Sequence, residues 1–172
     1  MSQSITKRLF PAALAAILTA SAASAAETHQ KVFSIYGAYT SNNRSAIAGL
    51  NLSYRMSEYV RLAPSVDYTF RHHGIDAYNI SLDYQLPLRL TATSDVNFYP
   101  LAGIGYTAWT RKMEAGTVRT ESSERTNRFG FNVGGGLEFF STPTMRLGVE
   151  ATWRYRKGYS TGVFSVSIGY VF

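Results

Sequence analysis

Along much of the chain after residue 30, large apolar side chains recur at every second position, the period of a β-strand whose side chains point alternately to opposite faces. The closing stretch is the clearest case: Phe164, Val166, Ile168, Tyr170 and Phe172 form one face, and Val163, Ser165, Ser167 and Gly169 the other. Just before it, Met145, Leu147, Val149, Ala151, Trp153 and Tyr155 oppose Arg146, Gly148, Glu150, Thr152, Arg154 and Arg156, so every charge falls on one side. Upstream, Phe129, Phe131, Val133 and Leu137 oppose Arg128, Asn132, Gly134, Gly136 and Glu138. Tyr78, Ile80, Leu82, Tyr84, Leu86, Leu88 and Leu90 oppose Asn79, Ser81, Asp83, Gln85 and Arg89, and Val60, Leu62, Val66, Tyr68 and Phe70 oppose Arg61, Ser65, Asp67, Thr69 and Arg71. Residues 31–40, 46–56 and 97–111 alternate less cleanly, and with them the pattern predicts eight strands of about ten to fourteen residues, within or above the usual strand range.

The links alternate in character. Those near Ser57-Glu58, at 92–95 and at 141–144 are short turns, while residues 113–126 (MEAGTVRTESSERT) form the one long polar loop. At Lys157-Gly158 a two-residue hairpin pairs Arg156 with Tyr159, both on the polar-side parity, so the turn agrees with the register.

Composition narrows the setting. The chain has no cysteine, which excludes a disulfide framework and thiolate metal sites. Its first residues, MSQSITKRLFPAALAAILTASAASAA, join a basic start (Lys7, Arg8) to a short apolar core and a small-x-small pattern at Ala23-Ser24-Ala25. That predicts a secretory signal peptide over residues 1–25, ahead of one domain over 26–172. No later apolar run is long enough for a spanning helix, and the abundance of Tyr, Phe, Gly, Ser and Thr suits strands.

Eight long antiparallel strands make either a soluble cup, apolar inside, or a membrane barrel, apolar outside. In a cup the polar set would face water and be rich in Lys and Glu; here it is mostly Gly, Ser, Asn and Thr with a few Arg, Asp and Glu, which suits a narrow filled lumen. The apolar set is almost uncharged, as lipid contact demands when a Lys or Arg at the midplane costs roughly 2–4 kcal/mol. Tyr68, Phe70, Tyr78, Trp153, Tyr155, Tyr170 and Phe172 gather toward strand ends on that face, as interfacial girdles do. The membrane barrel is the expected fold.

On these residues the chain resembles the small eight-stranded outer-membrane barrels of Gram-negative bacteria, of the OmpA/OmpX/Ail type. The signal peptide, the eight alternating segments, YPLAGIGY (99–106), GGGLEF (134–139) and the terminal GYVF (169–172) carry the resemblance. It implies an outer-membrane location, both termini on the periplasmic side, and Tyr170 and Phe172 as the signal that barrel-assembly machinery reads. Function is only weakly implied, because one scaffold hosts adhesins, structural barrels and lipid-modifying enzymes.

A lumen this narrow fills with side chains, and charges out of bulk water persist when paired. Arg61, Asp67, Asp83, Arg89, Glu138, Arg146, Glu150 and Arg154 are therefore expected to form an interior salt-bridge plug, with Glu138 opposite or diagonal to Arg146 and an arginine beside Glu150. An open channel is not expected; a narrow ion or small-solute pore is the alternative. Outside, Arg111, Lys112, Arg119, Arg125, Arg156 and Lys157 make a basic rim, suited to lipopolysaccharide phosphates or to acidic host glycans and matrix proteins. Nucleic acid is not among the expected partners, no metal or cofactor is expected, and the expected state is a monomer.

Enzymatic readings fit less well. Where lipid A deacylases of this size carry His-x-Ser, the chain reads Trp153-Arg154-Tyr155; His72, His73 and Asp76 lie where the palmitoyltransferase class has His, Asp and Ser, but no Ser neighbours Asp76. A lipid A-modifying enzyme stays as the alternative to a structural or surface-interaction role.

Overall fold

A computed structural model describes residues 30–42, 44–57, 59–72, 75–90, 96–112 and 123–172. The expected signal peptide, His73 and Arg119 lie outside them.

The chain forms strands β1 (Lys31–Thr40), β2 (Ala46–Ser57), β3 (Val60–His72), β4 (Ile75–Gln85), β5 (Leu88–Arg89), β6 (Val96–Lys112), β7 (Ser123–Thr142), β8 (Met145–Arg156) and β9 (Tyr159–Val171). All sequential pairings are antiparallel, β1 pairs with β9, and β4 pairs with β6, so the sheet closes on itself with no free edge. β4 and β5 are one wall of the barrel. Pro87 has no N–H to offer the ladder, yet Leu86 N donates to Pro100 O (3.1 Å) and Leu90 N to Val96 O (3.0 Å), carrying the pairing across the interruption. The result is an eight-stranded barrel, all β among the described residues.

The side-chain alternation sorts as the sequence requires. Phe129, Ile104 and Val166 are 76%, 66% and 66% exposed on the outer surface, amid a continuous apolar belt that no soluble monomer would present to water. Inside, the largest fully buried side chains include Arg156, Glu138, Asn79 and Asp67. The core of this protein is polar and its surface apolar, the inverse of a water-soluble fold.

One end of the barrel holds the start of β1 and the last residue. There Lys31 N donates to Phe172 O (3.2 Å) and Phe172 N to Lys31 O (2.9 Å), which ties the last residue into the seam between β1 and β9. Tyr170 and Phe172 stand on the outer face with ring centroids 6.5 Å apart. The other end carries the Lys157-Gly158 turn and the strand ends at Thr40, His72, Ile75, Lys112 and Ser123. The link expected over 113–126 is shorter than the composition suggested: β6 and β7 stay paired out to Lys112↔Ser123, so residues 123–126 are strand.

Candidate functional site

The lumen is built in layers because each inward residue meets its counterparts at the same height on neighbouring strands. Toward the terminus end, Glu138 of β7 accepts from Arg61 Nη1 of β3 (2.7 Å) and Arg146 Nη1 of β8 (3.0 Å), both on Oε2. Asn97 Nδ2 supplies its other oxygen (3.2 Å), Arg61 Nε donates to Gln85 Oε1 (2.7 Å), and Arg146 Nη2 reaches Ser34 Oγ and Ser53 Oγ. Arg61 also lies over the Tyr99 ring, 4.9 Å from its centroid. Register explains the Glu138–Arg146 contact: Glu138 pairs with Gly148 and Phe140 with Arg146, so the two charges are diagonal neighbours.

Nearer the loop end, Asp67 takes both nitrogens of Arg154, with Nη2–Oδ2 at 2.9 Å and Nη1–Oδ1 at 3.3 Å. Tyr36 OH (2.8 Å) and Asn79 Nδ2 (3.2 Å) complete its shell. Such two-pronged guanidinium–carboxylate contacts are the strongest ion pairs a lumen can hold. Between the two clusters lies a polar cavity of about 40 Å³, lined among others by Tyr36, Asp83, Tyr99, Glu150 and Thr152.

Not every expected ion pair forms. Glu150 is held by hydroxyls, accepting from Tyr99 (3.0 Å) and Thr152 (2.8 Å), and Asp83 by the Asn132 amide (2.8 Å). Arg89 is exposed on β5, where it pairs through the backbone with Asn97 and joins no ion pair among the described residues. The rim changes as well. Arg111, Arg125 and Lys157 are exposed at the loop end, and the Lys112 backbone pairs with Ser123.

Arg156, expected on the rim, lies in the lumen instead, 1% exposed. Its parity points inward, and Gly105 leaves room for it, since a Cβ there would collide with the Arg156 Nη2. Its guanidinium donates to Thr107 Oγ1 (3.0 Å), Asn132 Oδ1 (3.0 Å), Asn79 Oδ1 (3.0 Å) and the carbonyls of Phe131 and Tyr155. No carboxylate of the described residues lies within ion-pair distance of it.

Toward the mouth from Arg156 the barrel opens into a vestibule of about 370 Å³ lined by Ile75, Trp109, Arg111, Thr126, Arg128 and Tyr159, with Gly158 at its edge. Trp109 and Tyr159 meet edge to face, 5.5 Å between centroids at 74°. Arg128 Nη1 donates to the Lys157 carbonyl, which fixes its guanidinium at the turn. The two aromatics were legible only through parity: both fall on the inward set at the ends of their strands.

The model of the outer membrane protein beta-barrel domain family matches residues 12–172. A search of curated protein sequences finds no match. Among solved structures, Ail of Yersinia pestis aligns over 86% of this chain and 100% of its own at 16% identity and a TM-score of 0.62. That protein has also been crystallised in complex with the heparin analogue sucrose octasulfate. Neisserial surface protein A aligns over 84% and 96% at 16% identity (TM-score 0.63), and the N-terminal barrel of Pseudomonas aeruginosa OprF over 83% and 97% at 14% (TM-score 0.61). At these identities the likeness is one of fold.

Proposed function

This chain belongs to the outer membrane protein beta-barrel domain family and resides in the bacterial outer membrane, and from that premise we propose that it is a plugged barrel whose loop end binds acidic glycans. The observation that carries the reading is the charge at that end: Arg44, Arg111, Arg125 and Lys157 are exposed, and with Lys112, Arg119 and Arg128 the basic residues of that end outnumber its acids Asp76, Glu114, Glu121 and Glu124. Lipopolysaccharide phosphates and sulfated host polysaccharides are the polyanions such a surface attracts; that Ail is known in complex with a heparin analogue supports the same chemistry here. The role is one of interaction, with no bond made or broken, and the buried Arg61–Glu138–Arg146 and Arg154–Asp67 bridges keep ions from passing.

Heparin retention of the protein in phospholipid nanodiscs tests this. The expected result is retention at low salt that falls as ionic strength shortens the Debye length, and that weakens in Arg125→Gln and Lys157→Gln. Absence of retention at low salt overturns the reading.

A further inference from the structure

Beyond a diffuse basic rim, we propose that the vestibule is a discrete site for a single sugar ring bearing one sulfate or phosphate ester, the unit through which an acidic glycan is held; the proposal rests on the glycan-binding reading above. Four features of the vestibule converge on that ligand class.

The first is shape and size. About 370 Å³ falls at the low end of small-molecule pockets, room for one sugar ring. The second is the aromatic corner. Trp109 and Tyr159 present two ring surfaces nearly at right angles, inside the mouth and away from the lipid face. Amphipathic rings in such a setting offer an apolar face to the C–H surface of a sugar and a polar edge to its hydroxyls.

The third is a guanidinium already in place. Arg128 lines the vestibule and donates to the Lys157 carbonyl at the turn. Gly158 sits at φ +77°, and a Cβ added there would come within 2.6 Å of Arg128 Nη1. The positive φ is what favours glycine at that position. A fork held in one orientation loses little freedom when it takes the oxygens of a sulfate or phosphate.

The fourth is positive charge close at hand. Arg156 lies buried beneath the vestibule and is bonded only to neutral acceptors among the described residues. Arg128 lines the vestibule itself, and Arg156 reaches Asp83 only through the Asn132 amide between them. Away from bulk water a cation acts over a longer range, and the anion it draws is the one that reaches the vestibule.

Trp109 provides the readout. The chain has two tryptophans, and the other, Trp153, is on the lipid face; in Trp153→Phe the emission reports the vestibule alone. Titration of that protein in phospholipid nanodiscs with glucose 6-sulfate or glucose 6-phosphate is expected to give a saturable change in emission. Glucose, lacking the ester, should give at most a weak one. Arg128→Gln should weaken the ester about tenfold or more, the loss of one charged hydrogen bond. Tyr159→Leu should weaken the sugar esters and leave inorganic phosphate unaffected.

Repeating the titration in nanodiscs containing lipopolysaccharide separates the sources. Competition identifies the membrane's own sugar phosphates as occupants, and an unchanged titration points to soluble or host glycans; either supports the site. A silent titration overturns it, provided heat-modifiable gel mobility shows the barrel folded. Heparin retention reports separately: if it persists while the titration is silent, the rim reading stands and the vestibule falls. If retention is absent while the titration responds, the polymer reading fails and the vestibule stands as a site for small esters.

Discussion

The two ends of the lumen treat buried arginine in opposite ways. Toward the termini, Arg61 and Arg146 close on one carboxylate, Glu138, and the layer is sealed by Gln85, Asn97, Ser34 and Ser53. Toward the loops, Arg156 is as deeply buried but is met by amide, hydroxyl and carbonyl oxygens, and the vestibule lies above it. Paired charge knits strands together, and the Glu138 carboxylate offsets one of the two guanidiniums that close on it. Charge solvated by neutral dipoles keeps its field, and that field faces the mouth. The terminus end is therefore built for closure and the loop end for attraction.

The largest effect that tests this contrast is the loss of Glu138. Glu138→Gln leaves two guanidiniums facing each other without a counter-charge, and breaking a buried pair by removing one partner costs about 3–5 kcal/mol. Urea unfolding followed by heat-modifiable mobility should show the midpoint fall accordingly. A shift no larger than that of a surface substitution would mean the cluster does not hold the barrel together.

Most of this architecture was legible in the sequence, because the bilayer enforces the alternation. A charge on the outer face is expensive in hydrocarbon, so outward parity could be read from Phe164 to Phe172 and carried to every strand. The Glu138–Arg146 contact followed from parity and turn length. What escaped lies where that constraint stops. β7 begins at Ser123, and the stretch from Ser123 to Thr126 is polar throughout, without the alternation that lipid contact selects, so it read as loop. Arg156 read as rim because parity gives a face but not the direction a long side chain leans; that depended on the room left by Gly105, two strands away across the lumen. Glu150 was expected beside an arginine, but Tyr99 and Thr152 hold it instead.

A smaller effect is expected at Arg156. Arg156→Met removes a buried charge that has no carboxylate to orphan. Asn79 Oδ1 still accepts from Thr107 (2.7 Å), and Asn132 Nδ2 still serves Asp83, so the main loss is the partner of Asn132 Oδ1. One unsatisfied acceptor costs about 1–3 kcal/mol. Stability should therefore drop less than in Glu138→Gln under the same urea assay, while heparin retention weakens. The reverse ranking would erase the distinction between the two ends.

The smallest effect on the fold, and the sharpest separation of stability from attraction, is expected at Lys157. Its side chain is exposed in the two-residue turn, and what the structure uses of it is the carbonyl that accepts from Arg128. Lys157→Gln keeps that carbonyl and the turn, so the urea midpoint should stay within about 0.5 kcal/mol of the parent, as for surface changes away from special contacts. It nevertheless removes one positive charge from the loop end, where exposed charges act through a screened field and add up in a polyanion's encounter. Heparin should elute at lower salt from Lys157→Gln than from the parent, by a margin that shrinks as ionic strength rises. Equal elution at every salt concentration would confine the attraction to the vestibule arginines and leave the rim a bystander.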